Sequence, residues 1–351
     1  MSMLAELVEV VIGVDTHTDT HTAAVLTAAT GAVLEVQTVP ADPSGYAELL
    51  ALADKHASQE GGLRAWAIEG TGGYGAGLAR HLAQAGEFIV ELDRPVRPTR
   101  RAGAKSDPID AERAARDALA RTRLAQPKTG AERAALQMLL AVRRAAVEAA
   151  LVGQRQLHAL VVTAPEPVRA RFRGQSSAAR LATAARLRPH GDIHTRTAIT
   201  VLRALARRVT ALHAEAATHE KAILAIVRTW QPELLDQPGI GPINAAVVLT
   251  AWSHPGRCRS DAAFAMLAGA APIPASSGKT VRHRLNRSGD RQLNRALHNI
   301  ALCRMRYDPA TRAYTERRRT EGKTDRDIRR CLKRYIARQL YRHLETATPT
   351  P

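Results

Sequence analysis

The chain has 351 residues, 45% of them hydrophobic, and a formal net charge of +18. That length suits more than one core, the apolar content rules out a disordered chain, and the charge calls for a polyanionic partner, most simply nucleic acid. The three cysteines, Cys258, Cys303 and Cys331, form no CxxC pair, which argues against a zinc knuckle or a disulfide framework and for reduced thiols in a cytosolic protein.

No basic n-region precedes Glu6 and Glu9, so no signal peptide is expected, and no apolar run reaches bilayer length. Residues 8–14 are a β-branched run ending at Asp15. Residues 23–26 and 33–39 read as two further strands, with Gly31 in the turn between them, giving an antiparallel meander. In the polar stretch 16–22, His17, Asp19 and His21 alternate as metal ligands do, but a turn after a strand is the better reading. A helix over 45–56 follows, then a buried strand over 65–68 that ends at Glu69.

The glycine-rich stretch 70–77 opens a helix running to about residue 85. It has no GK[ST] ending and no GxGxxG after a first strand, so it reads as backbone passing close to an acid cluster rather than as a nucleotide loop. A strand over 88–92 and a basic loop over 94–105 lead to Lys105-Ser-Asp-Pro-Ile-Asp-Ala-Glu-Arg113. This is a helix start, with Pro108 at the first helical position. Asp107 and Asp110 are three residues apart and share one face. Alone, they read as an N-cap and a first-turn acid.

Strand, strand, strand, helix, strand, helix, strand, helix is the order of the ribonuclease H-like fold. Acids at the ends of its strands converge on one edge of the sheet. Asp15, Glu69, Asp107 and Asp110 then meet, and four carboxylates in one place stay charged only with cations between them. Two Mg²⁺ ions about 4 Å apart answer that need and suit in-line phosphoryl transfer.

Residues 132–162 and 197–230 read as two long amphipathic helices, separated by Pro165 and Pro167 and a short helix over 177–187. Leu202, Leu205, Val209, Leu212 and Ile223 lie near one stripe of the second. The pair suggests an antiparallel coiled-coil arm for dimerisation; His213 and His219 read as surface residues. Pro238-Gly-Ile-Gly-Pro242 reads as the turn of a helix-hairpin-helix element, in which Gly239 and Gly241 let the N–H groups of the following helix meet a DNA phosphate. Residues 261–268 are a short apolar helix ended by Gly269. The loop Pro272-Ile-Pro-Ala-Ser276-Ser277-Gly278-Lys279-Thr280 adjoins a basic tract of Arg282, Arg284, Arg287 and Arg291. Composition alone makes it a polar surface loop. Ser288 reads as the cap of a helix that buries Leu293, Leu297, Ile300 and Ala301 and leaves Arg291 and Arg295 open. From residue 281 to 345 there are 19 Arg or Lys against 7 Asp or Glu, a net of +12. Residues 311–344 are a basic helical region interleaved with Tyr314, Tyr335 and Tyr341.

Ile-Gly-Val-Asp15, Ala-Ile-Glu69-Gly-Thr-Gly-Gly-Tyr and Lys-Ser-Asp107-Pro-Ile-Asp110-Ala resemble the DEDD transposases of bacterial insertion sequences. That family joins a RuvC-like domain to a C-terminal transposase domain. The resemblance implies that Asp15, Glu69, Asp107 and Asp110 bind Mg²⁺. It also implies that Gly269-Ala-Ala-Pro272 leads into a loop carrying a nucleophilic serine, Ser277 or, one position off, Ser276. Lys105, Gly239, Gly241, Lys279, Arg282, Arg284, Arg287 and Arg291 are the nucleic-acid-binding candidates.

The implied organisation is α/β plus α: a ribonuclease H-like (RuvC-like) domain over 1–125, a helical arm over 126–230, and a mainly helical domain with the helix-hairpin-helix and serine loop over 231–345. Residues 346–351 are a disordered tail. The implied partners are double-stranded DNA at element ends and targets, a bridge or guide RNA, and further copies of the chain as a dimer or tetramer, without a membrane, in the bacterial cytoplasm at the nucleoid. The leading function is a recombinase that cuts and rejoins DNA through a phosphoserine intermediate. A RuvC-type junction endonuclease using water and a non-enzymatic nucleic-acid-binding protein are the alternatives.

Overall fold

The computed structural model describes residues 3–57, 63–92, 106–276, 280 and 282–347. The chain divides into two units, Met1–Lys128 and Thr129–Pro351.

In the first unit a short helix, α1 (Leu4–Leu7), precedes the meander β1 (Val10–Thr16), β2 (Thr20–Thr27) and β3 (Val33–Pro40). Then come α2 (Pro43–His56), β4 (Arg64–Glu69), α3 (Ala76–Gln84), β5 (Phe88–Leu92) and α4 (Asp107–Ala120). The strands lie in the order β3-β2-β1-β4-β5. β1 pairs antiparallel with β2 and parallel with β4, and β4 pairs parallel with β5. This mixed sheet matches the ribonuclease H-like order read from the sequence.

The period of two along β1 divides its side chains between two cores. Val10, Ile12 and Val14 pack with Leu49, Leu78 and Leu82 of α2 and α3. Val11 packs on the other face with Ala111, Ala115 and Ala118 of α4. Asp42 starts α2 by accepting hydrogen bonds from the backbone N–H of Ser44 at 2.9 Å and Gly45 at 3.1 Å, satisfying two otherwise unpaired donors.

The second unit is mainly helical. It contains α5 (Ala131–Thr163), α6 (Glu166–Arg169), α7 (Ser177–Ala185) and α8 (Ile193–Trp230), then α9 (Pro242–Trp252) and α10 (Asp261–Leu267). A two-stranded ladder of β6 (Ile273–Pro274) and β7 (His283–Arg284) follows, then α11 (Arg291–Tyr307), α12 (Pro309–Thr320) and α13 (Asp325–Ala347). α5 and α8 form the expected antiparallel hairpin: Arg143 reaches Glu220 at 2.8 Å, and Gln154 meets His213 at 3.3 Å. Gly153 lets the two helices close, since a Cβ there would stand 2.6 Å from Val209 Cγ2. Leu157, Phe172, Leu187 and Ile199 fill one end of the hairpin. Leu136, Ile223 and Val227 at the other end join a core with Trp252, Phe264, Leu297 and Ile336.

Several helix boundaries differ from the sequence reading. Helix α4 begins at Asp107 with Ser106 as its N-cap, so Asp107 is inside the helix and Pro108 occupies its second position. Asp290, not Ser288, caps α11, accepting from Gln292 and Leu293 N–H at 2.8 and 3.0 Å. Ser288 lies too far ahead of those donors and gives its hydroxyl to Asn286 Oδ1 at 2.7 Å instead. Of the residues expected to form a disordered tail, Thr346 and Ala347 belong to the last helix, and residues 348–351 lie outside the described ones.

Candidate functional site

Two backbone devices assemble the acids of the first unit. β1 and β4 run parallel, with Val14 opposite Ile68 as their last paired residues. Asp15 and Glu69 therefore stand one step further along neighbouring strands. Thr16 ties these ends together by donating its hydroxyl to the Glu69 carbonyl at 3.1 Å. The second device is the close seat of α4 on β1. Gly13 and the alanine face of α4 leave almost no space between helix and strand, which brings the first turn of α4 down to the end of β1.

Of the three aspartates, Asp15 is the best shielded, its side chain 18% exposed against 51% for Asp107 and 20% for Asp110. Burial pushes the Asp15 carboxyl above the usual carboxylate range, and the charges of Asp110 and Asp107 push the same way, against an opposing pull from His17. His17 Nε2 lies 3.2 Å from Asp15 Oδ2 and 3.4 Å from Asp107 Oδ1. The turn that holds it is closed by its own N–H, which donates to the Thr20 carbonyl at 3.0 Å.

Asp15, His17 and Asp107 offer ligand atoms that all lie within 4.8 Å of one another, a compact group able to hold a divalent ion. The turn expected over 16–22 is confined to residues 17–19, since Thr16 ends β1 and Thr20, His21 and Thr22 already pair in β2; within it, His17 belongs to the acid cluster rather than to a merely polar surface. The alternation of His17, Asp19 and His21 along the chain was its only signal, and it is shared by His21, which stays out of the cluster. His21 does not join it: the ring is buried, its Nδ1 is 3.0 Å from the Thr20 carbonyl, and it stacks on Tyr46.

The other two acids stand apart from the compact group. Asp110 pairs with Arg113 on its own helix. Glu69 and Asp110 line one small crevice with Leu92, Arg113, Ala114 and Asp117. Lys105 lies outside the described residues.

In the second unit, Ile273 pairs with Arg284 and Pro274 with His283. Ser276 extends this ladder: its Oγ accepts from the Arg282 N–H at 3.2 Å and donates to the Arg282 carbonyl at 3.4 Å. Ser277 and Lys279 lie outside the described residues. Arg282, Arg284, Arg287 and Arg291 are exposed, and no ion pair engages them among the described residues. The Pro238–Pro242 turn rests on α11. Gly239 has φ +79°, and a Cβ there would stand 3.1 Å from both the Ile300 carbonyl oxygen and Cys303 Cβ. Arg304 Nε donates to the Pro238 carbonyl at 2.7 Å. Gly241 starts α9 with no side-chain cap, so the first N–H groups of that helix remain available to an acceptor.

Comparison with known proteins gives this arrangement its relatives. Residues 231–316 match the family described as "Transposase IS116/IS110/IS902 family", and residues 12–164 match the DEDD-type IS110 family described as "Transposase". A 43.6 kDa protein of insertion element IS110 from Streptomyces coelicolor is 36% identical over 127 residues, covering 35% of this chain and 31% of the relative. A 42 kDa protein of insertion element IS900 from Mycobacterium paratuberculosis is 36% identical over 130 residues, covering 36% and 33%. The matched stretches thus span about a third of the length of these curated relatives. No helix among the described residues is long and apolar enough to cross a membrane. With its acid-bearing mixed sheet in one matched region and its helical, basic half in the other, this chain belongs to the bacterial IS110/IS902-type transposase family.

Proposed function

We propose that this chain is a DNA recombinase that cuts and rejoins strands to mobilise an insertion sequence, through a phosphoserine intermediate. The observation that carries the reading is the meeting of Asp15, Asp107 and His17, with Asp110 close enough to raise the Asp15 carboxyl, in a chain of this family.

The donor set fits Mg²⁺. Carboxylate oxygens are hard ligands, and the shielded Asp15 gains from any cation that offsets its neighbours. Asp15 and Asp107 would hold the ion, Asp110 and Glu69 would complete the site from the crevice, and His17 would hold the two nearer carboxylates in register. A bound divalent cation supplies charge neutralisation at the scissile phosphate.

Ser277 is the proposed nucleophile. Its Oγ–P bond forms as one bridging P–O bond of the DNA backbone breaks; the serine loses its proton and the departing deoxyribose oxygen gains one. Attack by a DNA hydroxyl reverses the step and reseals the strand. Tying of Ser276 to Arg282 supports Ser277 over its neighbour, because a hydroxyl committed to a backbone ladder is poorly placed to attack. The exposed arginines from Arg282 to Arg291 would offset charge on the phosphoryl oxygens, and the turn at Gly239 and Gly241 would act as a helix-hairpin-helix contact to the backbone. Site choice would rest on base pairing by a guide RNA.

The proposed assembly is an oligomer formed through the arm. Met138, Val142, Ala145, Ala149 and Val152 follow the four-three spacing of a coiled-coil seam, and Met138, Val142 and Val152 are 64%, 46% and 47% exposed. Cleavage of element-end DNA in Mg²⁺, compared between the wild type and Asp15→Asn, tests the acid site. Loss of cleavage is expected, and full activity in the variant would defeat the reading.

A further inference from the structure

We propose that the buried guanidinium of Arg304, seated beneath the Pro238–Pro242 turn, is the fixed counter-charge for one nucleic-acid backbone phosphate held at the start of α9. This rests on the reading of that turn as a backbone contact and names the residue that gives the contact its charge.

Arg304 projects from α11 and is only 7% exposed. Its Nε donates to the Pro238 carbonyl at 2.7 Å and its Nη1 to Gln339 Oε1 at 2.8 Å. Gln339 passes the tie back to the turn, its Nε2 donating to Gln237 Oε1 at 3.4 Å. Both partners of the guanidinium are neutral. Among the described residues no carboxylate pairs with it, and its buried Nη2 has no partner. Asp308, one helical turn on, is committed to starting α12, where it accepts from the Thr311 N–H at 2.8 Å and the Thr311 hydroxyl at 2.5 Å. A covered charge without a counter-ion is costly, and so it calls for an anion that completes the site.

The unengaged prong is aimed at the turn. Nε and Nη2 share one edge of the planar guanidinium, the edge with which Arg121 takes both oxygens of Asp117 at 3.0 and 2.6 Å. In Arg304 that edge is turned to Pro238, and only its Nε is used.

Above the turn, the start of the 11-residue α9 is open. Gly241 is exposed, provides no side-chain cap, and has nothing within 4 Å of where a Cβ would stand. The N–H groups of Ile243 and Asn244, in the first turn, have no acceptor within the helix. Open donors on one side and an unbalanced cation on the other are complementary to a phosphate. The guanidinium is covered, so it acts across the turn and not by contact, in surroundings where charge is little screened. Arg304 is thus a positioning residue. The net of +12 over residues 281–345 suits a phosphate carried on a polyanion rather than a free ion.

The test joins thermal melting of the free chain to the salt dependence of its binding to a labelled duplex of arbitrary sequence. Gly241→Asp puts a carboxylate where the phosphate would sit. The extended backbone there (φ −93°, ψ 175°) and the open space suit a capping side chain, so the fold is not burdened. Its melting temperature is expected to rise, and to rise less when Arg304→Met is also present, because the new carboxylate has then lost its counter-charge. Each phosphate neutralised contributes about 0.9 to the slope of log K against log salt. Gly241→Asp and Arg304→Met are each expected to lower that slope by about one, and the two together by no more. Arg304→Lys, which keeps the charge, is expected to stay near the wild type, as is Lys221→Met on the arm. An equal rise in melting temperature with and without Arg304, or a slope lost as fully in Arg304→Lys as in Arg304→Met, would overturn the counter-charge and leave the turn as a contact. An unchanged slope in Arg304→Met would do the same. An unchanged slope in Gly241→Asp would remove the phosphate from the turn and both readings with it. A drop in Lys221→Met would reduce the slope to a measure of net charge and overturn the assignment to Arg304.

Discussion

Gly13 of β1 and Ala111 of α4 meet so closely that a Cβ on Gly13 would stand 2.1 Å from the Ala111 carbonyl oxygen and 2.5 Å from the Ala115 nitrogen. Neither backbone atom can swing aside. Gly13→Ala is therefore expected to lift α4 from the sheet, cost about 3 kcal/mol of stability, and carry Asp107 and Asp110 away from Asp15. Thermal melting with and without Mg²⁺ checks both effects: a lower melting temperature and a lost response to the ion are expected together. A variant as stable and as responsive as the wild type would show that the contact does not position the acids.

The acids themselves carry an opposite signature. The Asp15 carboxyl is held above its ordinary range, chiefly by burial and then by Asp110 and Asp107. The folded chain thus binds the Asp15 proton more tightly than the unfolded chain does. Stability from this group is present at low pH and falls as pH rises from the ordinary carboxylate range through the raised value. At neutral pH, Asp15→Asn is expected to stabilise the metal-free protein, because the amide carries no charge to be desolvated or repelled. Mg²⁺ at ten times its dissociation constant is expected to add about 1.4 kcal/mol to the wild type and little to the variant. Melting curves in chelator and in Mg²⁺ at neutral pH separate these outcomes.

Much of this arrangement was legible in the sequence. Apolar runs ending at Asp15 and Glu69, with one helix and one strand between Glu69 and Asp107, gave the order of the elements, because alternation along a strand survives without knowledge of its neighbours. The role of Gly13 did not, since a glycine within a strand has no visible purpose until a helix lies across it. His17 was hidden for a related reason: a turn of polar residues looks the same whether or not it folds back over a carboxylate. Ser288 and Asp290 are both good caps two residues apart, and only the actual first N–H groups of α11 decide between them.

A separate pair anchors the sheet. Arg64 Nε reaches Glu87 Oε2 at 2.8 Å, and the buried Trp66 donates its indole N–H to the same oxygen at 2.7 Å. Burial pushes the Glu87 carboxyl up, but the hydrogen bonds from Arg64 and Trp66 outweigh it, and the net displacement is downward. Glu87 therefore contributes stability that is full above the ordinary carboxylate range and is lost as pH falls through the depressed value. Glu87→Gln is expected to cost on the order of 2 kcal/mol at neutral pH and to flatten the acid limb of the stability profile. Denaturant unfolding at several pH values checks it; an unchanged acid limb would assign that limb to other groups.

The exposed seam on α5 predicts self-association. Val142→Glu combined with Val152→Glu places charges at two seam positions that face solvent within one chain. Light scattering is expected to show a smaller particle with an unchanged melting profile at low concentration. The same oligomer in both proteins would place the contact elsewhere.

The most direct test of the central claim is the recovery of DNA covalently attached to the protein. Wild-type chain would be incubated with its element ends, flanking RNA and Mg²⁺, then denatured, and the modified peptide mapped. A phosphoester on Ser277 is expected, absent from Ser277→Ala and from Asp15→Asn, and present in Ser276→Ala. Undiminished cleavage by Ser277→Ala, with free ends and no adduct, would contradict it and make water the nucleophile.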